Sequence, residues 1–332
     1  MAEDKLNSDF KVDLVYLWVD GNDPVWRAKR DRCLGVDVDA VENAEVAGEA
    51  RWRDNDELRY SLRSVEMFAP WINRIFIVTD GQRPAWLNTD HPKVRIVDHS
   101  EILDPEALPV FNSHAIESCI YKIPGLSEYF IVGNDDTIFS GEVSRSTFFH
   151  DDGRPIVRLV RFNRRKALKR SNYTRVIRRM QDLVYEITGE AIYYAPHHNF
   201  DAYRRSDFIH CVSLLPDRWH DTSYHRFRSD DDMQRCFVSL YCVATGRAEM
   251  CKVDRYNRVD GILGAFKAFF TNRYATDSRC IPMNTPNYVK VYSKYNPLML
   301  CINDGEKTTD ADRESLAEFM EYMFPNKSGF EL

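Results

Sequence analysis

"YFIVGNDDTIFS", residues 129–140, combines a strand pattern with two adjacent carboxylates. Tyr129 to Val132 are typical of a strand that is buried on both faces. Asp135 and Asp136 follow directly, although neighbouring carboxylates repel each other and are costly to remove from water. One interpretation is a turn, because Asn-Asp-Asp favours turns. The other is a cation site, because Mg²⁺ prefers carboxylate oxygens.

Three earlier apolar runs resemble this one and also end at or near an aspartate. They are residues 12–20, 74–80 and 93–100. Between the first two, residues 54–70 repeat apolar side chains at helical spacing, with Asp54 or Asn55 as the predicted N-cap. Residues 113–125 predict a second helix.

This alternation of strands and helices predicts an α/β fold with a mainly parallel, Rossmann-like sheet. Ligands of such sheets bind beyond the carboxyl ends of the strands. We therefore expect the aspartates that end the four strands to gather at one edge of the sheet: Asp20, Asp80, Asp98 and Asp135.

Composition narrows the function classes. The chain has 332 residues and a formal net charge of −6, which argues against a general affinity for nucleic acid. No apolar run is long enough to cross a bilayer, and the polar start has no signal-peptide pattern. The eight cysteines form no CxxC pair, which argues against a zinc site. They are expected to be reduced thiols in the cytoplasm.

The second half is less regular. Residues 155–162 predict a strand, residues 308–324 a structural helix, and the acidic residues 34–50 a mobile loop over the sheet edge. Residues 158–179 contain ten Lys or Arg and no Asp or Glu. Three interpretations of this run remain open: a solvated helix face, a surface on anionic lipid, or arginines that clamp a phosphate.

Four blocks resemble the Stealth proteins, which include bacterial capsule polymerases and the catalytic part of the animal GlcNAc-1-phosphotransferase. The blocks cover most of the chain in order: "DLVYLWVDGNDPVW" (13–26); residues 51–87 with 111–139; "APHHNFD" (195–201) with "HRFRSDDDMQ" (225–234); and "CIND" (301–304) with a final "MFPNKSGFEL". The second block is the longest, and the third is short.

The resemblance implies a specific reaction. An acceptor saccharide hydroxyl would attack the β-phosphorus of a UDP-sugar, with UDP-N-acetylhexosamine as the expected donor. The products would be a sugar phosphodiester and UMP. It also implies a core similar to that of nucleotide-sugar glycosyltransferases of the GT-A type, with a mostly helical second half. We expect one catalytic domain over 1–332, with a donor half at 12–150 and an acceptor half at 151–332.

The resemblance also assigns residues. Asp135 and Asp136 would bind Mg²⁺ or Mn²⁺. The implied catalytic residues are His197 as general base, Asp54 as its rival, and Arg175 and Arg228 as phosphate clamps, although Arg228 has an alternative role in pairing with Asp230–Asp232. The implied donor-binding residues are Trp18, Val19, Asp20, Gly21, Asn55, Arg59 and Asn134.

Two other functions remain open. A metal-dependent glycosyltransferase on a similar sheet would release UDP rather than UMP. A non-enzymatic protein that uses the basic run to bind anionic polymer or lipid would leave the carboxylates without a role. Peripheral association with the inner face of the membrane and the oligomeric state are not decided by the sequence.

Overall fold

The computed structural model describes residues 10–35, 52–167, 171–253, 266, 270, 277–305 and 307–332. The predicted acidic loop at 34–50 falls outside these residues except for Leu34 and Gly35.

Three small sheets organise the described strands. The strands are β1 (Val12–Leu17), β2 (Ile75–Thr79), β3 (Val94–Asp98), β4 (Tyr129–Asn134), β5 (Thr137–Phe139), β6 (Ile156–Arg161), β7 (Tyr194–Pro196), β8 (Asp201–Arg204), β9 (Glu249–Val253), β10 (Ser278–Pro282) and β11 (Met299–Asn303).

Helices cover much of the remaining described chain. They are α1 (Pro24–Leu34), α2 (Glu57–Phe68), α3 (Ser113–Glu117), α4 (Arg164–Ala167), α5 (Asn172–Thr188), α6 (Arg205–Leu214), α7 (Pro216–Tyr224), α8 (Cys236–Ala244), α9 (Tyr288–Tyr295) and α10 (Asp310–Met323).

The largest sheet confirms the predicted parallel α/β core. Its strand order is β3-β2-β1-β4-β8, and the first four strands run parallel. Strand β8 pairs antiparallel with β4 and closes that edge. β1, β2 and β4 are almost entirely buried, because helices and loops cover both faces of the sheet, as the continuous apolar runs predict.

Two three-stranded sheets extend this core. One has the order β7-β6-β9 and contains the strand predicted at 155–162; the other has the order β10-β11-β5. Because β5 follows β4 after one turn, and Thr137 pairs with Cys301 of β11, the second sheet brings the end of the chain next to Asp136. The later half therefore contributes strands as well as helices to the fold.

The predicted helices are confirmed with local corrections. Helix α2 begins at Glu57, and its N-cap is Asp56 in a left-handed conformation with φ 66°, so the prediction of Asp54 or Asn55 as the cap is wrong. Asp54 instead accepts a bond from the Asp56 amide at 2.9 Å. The helix predicted at 113–125 breaks after Glu117, where the Ser118 hydroxyl donates to the Ala115 carbonyl, and a short 3₁₀ turn follows at Ile120–Lys122. The final helix at α10 is confirmed.

No helix within the described parts of the chain is both long and apolar enough to span a membrane.

We predict that Gly133→Ala destabilises the fold. A Cβ at Gly133 of β4 would lie 2.5 Å from Cε1 of Phe200, whose ring stacks on Phe139 at 4.1 Å and has little room to move. Such overpacking typically costs about 1–3 kcal/mol of the free energy of unfolding. Urea unfolding measures this cost. Gly35→Ala is the control, because its added Cβ meets only ordinary contacts of 3.5 Å or more. Equal stability of the two variants would contradict the prediction.

Candidate active site

A cavity of about 690 Å³ lies at the carboxyl edge of the parallel strands. The loops after β1 and β4 and the first turn of α2 form part of its wall, and side chains from the second half complete it. Its polar lining includes Arg53, Glu57, Asp80, His99, Ser113, His114, Glu117, Asn134, Asp135, Asp136, His198, Arg228, Gln234, Arg235, Asn303 and Asp304. The expected gathering of strand-end aspartates is therefore only partly seen, because Asp80 and Asp135 line the cavity and Asp20 and Asp98 do not.

The residues proposed from the sequence divide into two groups. Those that line the cavity are Trp18, Val19, Asn134, Asp135, Asp136 and Arg228. Those that do not line it are Asp20, Gly21, Asp54, Asn55, Arg59, Arg175 and His197.

Asp136 is held from three sides. Its Oδ2 accepts from Nδ2 of Asn303 at 3.1 Å and from Sγ of Cys301 at 3.3 Å, and it lies 3.6 Å from Nε2 of His198. Burial raises the pKa of Asp136, but the His198 contact and these hydrogen bonds outweigh burial, so the pKa is lowered. Its Oδ1 is buried without a hydrogen-bond partner, and such an oxygen is available to a cation.

Asp135 has the opposite electrostatics. Burial raises its pKa well above the usual range, and the nearby charges of Glu57, Asp136 and Asp54 raise it further. Four carboxylates in one partly dry region repel each other, so the region favours protons or a bound cation.

The structure also groups three different ligand types. The ligand atoms of Asp136, His198 and Cys301 all lie within 4.8 Å of one another. This cluster could hold a metal ion, although the sequence suggested only Asp135 and Asp136 as ligands.

The two adjacent histidines point to different surroundings. His197 is buried, and its Nδ1 lies 3.2 Å from Oγ of Ser278, away from the cavity wall. His198 lines the cavity, with Nε2 at 3.3 Å from Nδ2 of Asn134. Burial lowers the pKa of His198, but the carboxylate of Asp136 outweighs this and raises it to about 9. The chain bends at His198, shortly after β7 ends at Pro196, so the two neighbouring rings face different surroundings.

Glu57 takes the place at the cavity that the sequence suggested for Asp54. Burial raises the pKa of Asp54 to about 6 and that of Glu57 to about 7. The Asn55 amide and side chain both donate to Glu57 at 2.7 Å, so Asn55 orients a cavity carboxylate instead of lining the cavity itself.

The loop after β1 shapes the cavity. The Gly21 amide donates to the Trp52 carbonyl at 2.7 Å, and a Cβ on Gly21 would lie 2.1 Å from that oxygen. Glycine is therefore required here by close backbone approach. Asp20 accepts from the amide of Asn22 at 2.8 Å, and its own amide donates to Gln82. These contacts position Trp18 and Val19 at the cavity.

Arg59 makes contacts with other side chains of the fold and does not line the cavity. It pairs with Asp56 at 2.6 Å and stacks over Trp86 at 5.1 Å. The expected donor contact from Arg59 is therefore not supported by its position.

The two arginines suggested as phosphate clamps differ in position. Arg228 lines the cavity, where its Nη2 donates to Oγ of Ser113 at 2.6 Å. Arg175 lies on α5 and pairs with Asp230 at 2.8 Å. Other arginines of the basic run also pair with carboxylates, including Arg158 with Asp277 and Arg179 with Asp231.

Asp232, in the third sequence block, contacts one histidine of its own block and one of the second block. It lies 2.7 Å from Nδ1 of His225 and 3.1 Å from Nδ1 of His114, and the latter ring lines the cavity. Burial raises the pKa of Asp232, but these two histidines outweigh it and bring the pKa to about 2.

Arg235 is a buried cation in the cavity wall. It pairs with Asp201 and lies 3.4 Å from Glu117, so Glu117, which had no role in the sequence analysis, balances this charge. Gln234 donates to the same glutamate at 3.0 Å.

Sequence reasoning missed Glu57, Cys301, Asn303 and Arg235, and it ranked His198 only second to His197. Glu57 and His198 stand within three residues of proposed positions, and Cys301 and Asn303 belong to the fourth sequence block, so a signal existed for each. Arg235 directly follows the third block, and only its long-range contacts identify it as a buried cation in the cavity wall.

Comparisons with known proteins show which family this chain resembles. Residues 10–35 match the family model of Stealth protein conserved region 1, and residues 51–157 match that of conserved region 2. The chain is 35% identical to the exopolysaccharide phosphotransferase SCO6023 of Streptomyces coelicolor over 97% of its own length and 52% of that protein. It is 36% identical to the exopolysaccharide phosphotransferase CpsY of Mycobacterium tuberculosis over 97% of its length and 58% of that protein.

A crystal structure of the galactosyltransferase LgtC, in complex with donor and acceptor sugar analogues, matches with a TM-score of 0.43 and 11% identity. That match covers 93% of this chain and 95% of the LgtC chain. The present chain spans little more than half the length of the two curated relatives. With both conserved regions in place and this similarity along nearly its whole length, the chain belongs to the Stealth protein family.

Proposed function

We propose that this chain catalyses transfer of a sugar 1-phosphate from a nucleotide-sugar, with UDP-N-acetylhexosamine as the donor, to a hydroxyl of a saccharide acceptor. The acceptor oxygen forms a bond to the β-phosphorus, and the bond from that phosphorus to the oxygen of UMP breaks. The names of the relatives support a phosphotransferase that makes exopolysaccharide. The observation that carries the proposal is that one cavity is lined both by the carboxylates Asp135, Asp136 and Glu57 and by cationic side chains that include Arg228.

The carboxylates fit a Mg²⁺ or Mn²⁺ ion. Asp135 and Asp136 would hold it, and the buried, unpartnered Oδ1 of Asp136 supports this assignment. When bound, such an ion neutralises charge on the donor diphosphate.

The remaining roles belong to the protein's own side chains. Arg228 is suited to bind a phosphate oxygen, because its guanidinium lines the cavity. Trp18 and Val19 offer an apolar wall to the nucleoside. His198, whose pKa is about 9 beside Asp136, offers a protonated nitrogen to the phosphoryl group.

The acceptor proton needs a base. Asp136 keeps His198 protonated at neutral pH, and His197 does not line the cavity. Glu57, with a pKa of about 7, lines the cavity and matches the range in which a general base works best. We therefore assign the base to Glu57 in place of His197 or Asp54.

The cysteines support a reducing compartment. All eight are free thiols, which fits the cytoplasm, where nucleotide-sugars would meet the enzyme.

The central test is the nucleotide product. Purified protein incubated with UDP-N-acetylhexosamine, Mg²⁺ and short saccharides should release UMP and form a product that contains a phosphodiester, as chromatography and phosphorus NMR would detect. EDTA and Asp135→Asn should each stop UMP release. Turnover that yields only UDP would identify a glycosyltransferase and reject the proposal.

The histidine pair gives a matched test of the site. His198→Ala should lower kcat about 10²–10³-fold, the usual loss for one preorganised donor to developing charge. His197→Ala removes a buried ring that packs near Ser278, so it should lower the melting temperature with a smaller effect on kcat. The reverse order of kcat effects would return the catalytic role to His197.

The pH profile tests Glu57. Because a base must be ionised, kcat/KM should rise with pH through a pKa of about 7 and then level. Glu57→Gln should remove this rise and lower turnover about 10²–10⁴-fold. Glu186→Gln, an exposed glutamate of α5, is the control and should retain the profile. If Asp54→Asn removes the rise and Glu57→Gln does not, the base is Asp54.

A further inference from the structure

A cluster of three side chains at the cavity wall, two that line it and one buried directly behind them, forms a ligand set that an oxygen-preferring cation does not explain. Asp136 contributes a carboxylate oxygen, His198 an imidazole nitrogen and Cys301 a sulfur, and these atoms lie within 4.8 Å of one another. Mg²⁺ binds oxygen ligands, whereas thiolate and imidazole together select softer ions such as Zn²⁺.

The distances fit one ion. Oδ2 of Asp136 lies 3.3 Å from Sγ of Cys301 and 3.6 Å from Nε2 of His198. Zinc bonds of about 2.0–2.3 Å in a tetrahedron place neighbouring ligand atoms about 3.4–3.6 Å apart. Two of the three separations are therefore close to those that a shared zinc ion requires, and the third, between the His198 nitrogen and the Cys301 sulfur, lies within 4.8 Å.

The fold holds the ligands in place. Cys301 is fully buried on β11, where it pairs in register with Cys280 of β10 and with Thr137 of β5. Asn303 donates to the carboxylate of Asp136 at 3.1 Å, which is the kind of supporting contact that orients a metal ligand. The ligands come from three distant parts of the chain, so the absence of a CxxC pair does not exclude this site.

We propose that Asp136, His198 and Cys301 form a three-ligand site for Zn²⁺ whose fourth position is open to the cavity. Binding of Zn²⁺ displaces the proton of the His198 imidazolium and that of the Cys301 thiol to solvent. The bound ion occupies the carboxylate that the proposed function assigns to Mg²⁺, so zinc acts as an inhibitor of that reaction. The binding itself does not depend on the proposed function, because it is measured without turnover.

The test uses the purified chain, reduced and freed of metal. Co²⁺ replaces Zn²⁺ as the spectroscopic probe, and wild-type protein should show a thiolate-to-cobalt charge-transfer band together with the strong visible absorption of a tetrahedral site. Zn²⁺ should displace the cobalt and abolish both signals. Cys301→Ser should lose the charge-transfer band and weaken zinc binding by more than about tenfold, as measured by competition with a chromophoric chelator.

Two further variants keep the result interpretable. Cys251→Ser, on β9 and outside the cavity, is the matched control and should bind both ions as the wild type does. His198→Ala changes a side chain that is 36% exposed, so it tests the site even if Cys301→Ser fails to fold. The proposal is overturned if wild-type protein gives no charge-transfer band, or if His198→Ala binds zinc as tightly as the wild type.

Discussion

The central physical constraint is the repulsion between carboxylates that are buried at the carboxyl end of β4. Asp135 and Asp136 follow a buried strand segment, and two further carboxylates lie nearby: Glu57 in the first turn of α2 and Asp54 in the segment before that helix. Like charges at such a place resist ionisation, and the raised pKa values of Asp54, Glu57 and Asp135 express that resistance. Only Asp136 keeps a lowered pKa, because His198 and Asn303 compensate for it. This group of carboxylates therefore favours a bound cation, because the protein's own cationic side chains do not fully neutralise it.

The side chains that compensate the charge of Asp136 come from the second half of the chain. Strand β11 pairs antiparallel with β5, directly after the aspartates, and this pairing places Cys301 and Asn303 against Asp136. His198 lies between β7, which pairs with β6, and β8, which pairs with β4 of the largest sheet. Arg235, which also lines the cavity, is neutralised by Glu117 and Asp201, so its burial does not require a ligand. Arg228 is therefore better placed than Arg235 to meet an anionic ligand.

Local pattern in the sequence was sufficient for the parallel strands, for α2, and for the carboxylates at the end of β4, because periodicity and strand ends are local properties. It was not sufficient where one residue decides the direction of a side chain. His197 and His198 are adjacent where the chain bends after β7, yet only His198 lines the cavity. Asp54 and Glu57 lie on either side of a left-handed Asp56, a backbone turn that no periodicity reveals. Cys301 reaches Asp136 only through strand pairing across 165 positions of sequence.

The distribution of charge also constrains the order of binding. A diphosphate carries negative charge and would meet Asp135, Asp136 and Glu57 on one wall of the cavity. At an effective dielectric constant of about 20, two like charges 4 Å apart repel by about 4 kcal/mol, which the cavity's cationic side chains, such as Arg228 and protonated His198, would have to offset. A divalent cation bound to the carboxylates would make the local charge of that wall positive instead of negative. In the proposed reaction the donor would therefore enter with its metal ion, and Glu57, whose carboxylate is oriented by two hydrogen bonds from Asn55, would receive the acceptor's proton.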